Sequence, residues 1–252
     1  MLVIVCLATI GALSWTYLFH LASAMPGADM AMGMGSNSMG MSMPNMNPWQ
    51  LGDIVLTFMM WSVMMIAMMS PSAAPMTLMF ARVHRERHRA QSAAPTATVF
   101  LLGYLALWTV FSAGATLLQH GLHAAALLSP QMMRVTPVLG GVLLLAAGVY
   151  QFTPLKRACL SRCRTPLGFL IAEWRDGMKG ALVMGWRHGM YCVGCCWLLM
   201  TLLFVAGVMN LLWVALIALS VLAEKVIPNG EWVSRIIGLI SITWGGWLLV
   251  QM

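Results

Sequence analysis

The chain has 252 residues, 60% of them apolar and 8% charged, with a net charge of +7, six cysteines and 25 methionines. Soluble domains carry roughly 25% charged residues, so this composition excludes an ordinary soluble globule and makes a lipid bilayer the expected solvent. The surplus of Lys and Arg does not indicate nucleic acid, because these residues flank apolar runs instead of decorating a folded basic domain; contact with lipid headgroups accounts for them.

Runs close to the ~20 residues needed to cross the hydrocarbon core fall at 2–22, 51–70, 97–119, 135–153, 189–208, 211–226 and 236–251. The expected fold is all-α, a polytopic transmembrane helix bundle of about seven spans, or six if the chain bends back within the membrane at Met209 and Asn210. Arg82, Arg85, Arg87 and Arg89 follow the second run. Lys156, Arg157, Arg162, Arg164, Arg175, Lys179 and Arg187 precede the fifth, and Lys225 and Arg235 lie between the last two. Only Arg134 falls on the other side, which by the positive-inside rule predicts a cytoplasmic N-terminus in a bacterial inner (cytoplasmic) membrane. Three parts are expected: a first span over 1–24, an outside loop over 25–47 and a metal-binding transmembrane domain over 48–252.

The first run ends in Ala22, Ser23 and Ala24, an A-x-A sequence of the kind signal peptidase cuts. No Lys or Arg precedes it and it exceeds the usual apolar length of a signal peptide, so an uncleaved span is expected. Cys6 within it reads as a small buried apolar residue. The loop that follows is low in complexity and holds Met25, Met30, Met32, Met34, Met39, Met41, Met43 and Met46. Thioethers bind Cu(I) without losing a proton and form no disulfides, which suits a flexible copper collector. A Met-biased linker resting on the bilayer is the alternative.

The bias continues into the second run, where Met60, Met64 and Met68 form one i, i+4 row and Met65 and Met69 a parallel one. A packing stripe has the same spacing. Pro71 and Pro75 are expected to break or kink this helix. His84 and His88, in RVHRERH, read as a solvated helix face, and His120 and His123 as the polar outer edge of the third span.

Cys159 and Cys163 are also four apart, in TPLKRACLSRCRTP. Such a pair can clamp a metal ion, act in redox or delivery beside its basic neighbours, or remain a free surface pair. Pro166 to Lys179, with Phe169, Leu170 and Trp174, is amphipathic and expected to lie on the membrane surface.

The fifth run carries the sharpest pattern. Met184, His188, Cys192, Cys196 and Met200 recur every four residues, with Cys195 beside them. Four residues advance a helix by only ~40° beyond a full turn, so these side chains share one half of its surface. Thiolate, thioether and imidazole together suit Cu(I), or Zn(II) where thiolates dominate. A redox couple and inert packing remain open alternatives.

Absences narrow the chemistry: there is no P-loop, haem-attachment or zinc-hydrolase motif, and an enzyme is not the favoured reading. No Asp or Glu is expected deep in the membrane; Glu224 comes closest, with Lys225 as its neighbour. The runs WSVMMIAMMSPSAAPM, YQFTPLKRACLSRC, WRDGMKGALVMGWRHGMYCVGCCWLLM and LAEKVIPNG resemble a bacterial family of uncharacterised integral membrane proteins with predicted metal binding. The resemblance covers about 50 to 240 and implies membrane location and metal binding. The residues point to a protein that binds a soft metal, Cu(I) first and zinc second, and acts in its acquisition, transfer or homeostasis. Its expected partners are the lipid bilayer, the metal ion and a membrane or cytoplasmic metal-receiving protein. The alternatives are a membrane thiol-disulfide oxidoreductase using Cys192 and Cys195, with Cys159 and Cys163 as a relay, and a structural subunit of a membrane complex.

Overall fold

A computed structural model describes residues 2–23, 50–88, 92–128, 135–208 and 210–251; the Met-rich loop, Arg89, Arg134 and Met209 lie outside them. The described residues form nine helices: α1 (Leu2–Ser23), α2 (Leu51–Arg87), α3 (Ala93–Ala124), α4 (Pro137–Tyr150), α5 (Pro154–Arg164), α6 (Pro166–Glu173), α7 (Gly177–Ala206), α8 (Leu211–Val226) and α9 (Gly230–Val250). Among them the only β pairing is an isolated bridge between Leu128 and Val135, so the architecture is all-α, as expected.

Helices α2, α3, α7 and α9 are each long and apolar enough to cross a membrane, and α4 with α5 forms a pair bent by 64° that raises the number to five. Helix α8, with 16 residues, and the apolar stretch Val5–Leu21 of α1 are shorter. The expected runs at 51–70, 97–119, 189–208 and 236–251 therefore fall on single long helices, whereas 135–153 falls on α4 and stops at the bend. Thr153 and Pro154 make that bend: Pro154 occupies the first turn of α5, and the Thr153 hydroxyl accepts from the Lys156 backbone N–H at 3.3 Å.

Pro71 and Pro75 lie inside α2 and do not end it. Both sit on its exposed face, while the opposite face packs on α3 and α8. This packing holds the helix through a cost of about 3 kcal/mol for an interior proline. The hydroxyls of Ser72 and Thr77 donate to the carbonyls of Met69 and Ala73, each at 3.0 Å, along the same stretch.

Helix α7 occupies the middle, against α3, α4, α5 and α8. Its crossing with α3 is closed by glycine on both sides. A Cβ on Gly185 would collide with the Phe100 carbonyl oxygen, and one on Gly103 with the Leu182 carbonyl oxygen. The α4–α9 seam uses the same device, since a Cβ on Gly245 would stand 2.9 Å from the Gly141 carbonyl and one on Gly238 3.1 Å from that of Gly148. Small residues that bring helix backbones together are the usual solution where no water drives helix association. Leu117, Leu216, Leu239 and Trp247 point outward from their helices and are exposed.

Two expectations are corrected. Helix α6 turns Phe169 and Leu170 into the protein, where they are buried in one core with Met184, Phe80 and Phe100, so these two side chains complete the core while Leu167 and Ile171 face out. Glu224 does not take Lys225 as its partner. It is buried and held by the Lys156 ammonium at 2.7 and 2.8 Å, with the Gln151 side-chain carbonyl as a further acceptor for Lys156. This ion pair fastens α5 to α8.

Candidate metal centre

The four-residue ladder of α7 faces inward along its whole length: Met184, His188, Cys192, Cys195, Cys196 and Met200 are each 1% exposed or less. The buried Met60, Met64, Met65, Met68 and Met69 of α2 share one apolar core with the three α7 cysteines, Met200 and Cys163, whereas Met184 belongs to a second core with Phe80, Phe100 and Phe169. The thioether stripe and the thiols thus lie in the same interior.

Helix α5 brings its cysteines to α7. Gly194 leaves a slot that Cys159 enters, for a Cβ there would stand 2.8 Å from the Cys159 sulfur. The Tyr150 hydroxyl donates to the Gly194 carbonyl and braces the same turn. Cys163 is buried in the same core as Cys192, Cys195 and Cys196. The two cysteine motifs, separated by nearly thirty positions in the chain, become one sulfur-rich cluster. Cys195 and Cys196 turn their sulfurs back onto the Cys192 carbonyl, at 3.1 and 2.9 Å. Among the described residues no group of three or more His, Cys, Asp or Glu side chains stands where it could hold a metal ion. Ligation by Cys195 or Cys196 would require release of these thiol-to-carbonyl bonds.

Cys192 is the most heavily contacted sulfur. The Tyr104 hydroxyl lies 3.1 Å and the Lys225 ammonium 2.9 Å from it. Lys225 also donates to the Ser72 hydroxyl at 3.0 Å, and Ser72 lies 3.4 Å from the Tyr104 hydroxyl. Tyr104 in turn reaches the Met69 carbonyl at 3.4 Å. Helices α2, α3, α7 and α8 therefore each place one polar group at this point.

One turn earlier on α7, His188 stands among the rings of Phe100, Tyr104 and Phe169, with centroids 5.5 to 6.1 Å away. Neither of its ring nitrogens has a hydrogen-bond partner among the described residues. Buried imidazoles are almost always satisfied, so an unpartnered one beside a thiol cluster is a donor open to a soft cation.

His84 and His88 do not form a solvated face. His84 is buried beside Phe80 and 3.4 Å from the Thr96 hydroxyl, and His88 pairs with Asp176 at 3.2 Å. The Trp174 indole N–H, 2.7 Å away, and His88 together hold the Asp176 carboxyl below its ordinary range. Spacing did not single out Tyr104, Ser72 or Lys225 as site residues. Lys225 had a signal, a charged pair with Glu224 inside an otherwise apolar run; Tyr104 and Ser72 had none, since buried aromatic and hydroxyl residues are common in packed helices.

The fold is a helical protein with apolar outer faces, in which buried sulfurs from two helices share one core and an ammonium lies against one of them. The chain belongs to the PpoB2 family of copper chaperones, whose family model matches residues 58–248. No curated protein and no solved structure matches it.

Proposed function

We propose that this protein binds copper as Cu(I) inside a bacterial inner membrane and hands it to a receiving protein. Cys192 and Cys195 are the thiolate pair at the centre of the site, with Cys163, Cys196, Cys159 and His188 around it. Met184, Met200 and the Met60, Met64 and Met68 row supply thioethers along the approach. The observation that carries this reading is the meeting of the α5 and α7 cysteines in one buried cluster, in a chain that belongs to a copper chaperone family. Thiolate and thioether are the protein donors that suit Cu(I), and a two- or three-sulfur site formed by rotamer changes loads and unloads without rearranging the fold. The Met-rich segment 25–47 would collect the ion on the outer side. Thiolates toward the cytoplasmic side bind it more strongly and would set the direction of transfer inward.

The test is metal content by mass spectrometry of protein purified under reducing conditions from copper-supplemented cells, beside a Cys192→Ser/Cys195→Ser/Cys196→Ser variant. Near-stoichiometric copper is expected in the parent and loss of most of it in the variant. Copper retained by the variant would move the site elsewhere. The burial of Cys163 in one core with Cys192 and Cys195 also favours a second reading, a thiol oxidoreductase. That reading predicts a metal-free parent, and a mixed disulfide with a partner trapped when one of the two cysteines is changed to Ser.

A further inference from the structure

Lys225 is placed as no headgroup-facing lysine would be. Its ammonium is turned into the bundle, 2.9 Å from the Cys192 sulfur and 3.0 Å from the Ser72 hydroxyl. Glu224, the carboxylate next to it in the chain, is taken by Lys156 in a separate buried pair. The fold therefore keeps two cations apart, a buried one neutralised by a carboxylate and a half-buried one set against sulfur.

We propose that Lys225 sets the charge selectivity of the site, favouring a monovalent soft cation over a divalent one. This inference rests on the copper-site reading above and adds to it which metal charge the site admits. With Cys192 and Cys195 as the two thiolate ligands and Cys163 kept as a neutral thiol, the site contributes two negative charges on binding and the Lys225 ammonium one positive charge. A monovalent ion closes the sum at zero. A divalent ion leaves one uncompensated positive charge in a low-dielectric interior, where an unpaired charge is costly. Zn(II) otherwise competes well for thiolates, so sulfur donors alone would discriminate poorly between the two. The ammonium supplies the difference without touching the metal, because a metal-bound thiolate keeps lone pairs that can still accept its N–H. Ser72 and Tyr104 hold the arrangement, the first by accepting from Lys225 and the second by its contact with the same sulfur.

The experiment is competition between buffered Cu(I) and Zn(II) on the full-length protein in detergent under reducing conditions, with bound metals counted by mass spectrometry. The wild type and Lys225→Arg are expected to take Cu(I) in preference. In Lys225→Met the bound Cu(I)-to-Zn(II) ratio is expected to fall by about tenfold or more, and Lys225→Gln, which keeps a polar group near Ser72, should show the same fall if the Met variant is poorly folded. A merely structural lysine would lower both metals together and leave the ratio unmoved. Copper still bound by the Met or Gln variant at a ratio within about twofold of wild type overturns the inference and leaves the copper site standing. A wild type that binds no copper overturns the copper reading, and this inference with it.

Discussion

Replacing Lys156 by Met is expected to destabilise the protein by about 3–5 kcal/mol, the range for removing one partner of a buried ion pair. Both side chains of the Lys156–Glu224 pair are 1% exposed, so the remaining carboxylate would be left without water or a cation. The loss is not a measure of how much the pair contributes in total, because much of it is the penalty of stranding Glu224. For that reason Lys156→Met/Glu224→Leu is expected to recover most of the stability, the two changes being strongly non-additive. Unfolding in mixed micelles of increasing denaturing-detergent content measures both. A single variant as stable as wild type would show that the pair does not hold α5 in place. Since α5 carries Cys159 and Cys163, the single variant should also lose protection of these thiols against an alkylating reagent before the α7 cysteines do.

Gly185→Val is the second large effect. The new Cβ would meet the Phe100 carbonyl oxygen, a backbone atom that cannot rotate away, so α3 and α7 must separate. Overpacking of this kind costs about 1–3 kcal/mol, and more where backbone must shift; at this crossing about 3 kcal/mol or more is expected. Tyr104 lies one turn beyond Phe100 on α3 and His188 one turn beyond Met184 on α7, so separation also opens the face that carries Cys192. Gly246→Ala supplies the control. Nothing lies within 4 Å of its Cβ position, and replacing a helical glycine there should be neutral or stabilising by about 0.5–1 kcal/mol. If detergent-resistant folding falls equally in both variants, the interlocking of α3 and α7 is not what holds the bundle.

The all-α fold and the inward row of donors on α7 were legible in the sequence, because both depend on local periodicity. Long charge-free runs favour helices, which satisfy their own backbone groups, and a four-residue repeat lies on one helix face whatever surrounds it. At Pro71 and Pro75 the same local logic allowed a break that does not occur, since tertiary packing carries the helix through both. It misjudged His84 and α6, since an amphipathic stretch turns its apolar side to whichever apolar partner is nearest, and here that partner is the protein.

What the sequence by itself determined, then, is the set of donors: which sulfurs and which imidazole exist, and that those of α7 share a face. Only the tertiary structure decided that Cys163 enters the core of the α7 cysteines, that Cys159 fills the slot at Gly194, and that Lys225 and Tyr104 close on Cys192. These meetings depend on the bend at Thr153 and Pro154, on glycine-mediated approach between helices distant in sequence, and on which of two adjacent charges, Glu224 or Lys225, each neighbouring helix can neutralise. None of these is a property of a local window. Each is settled by whichever arrangement buries the apolar faces while leaving no charge without a partner.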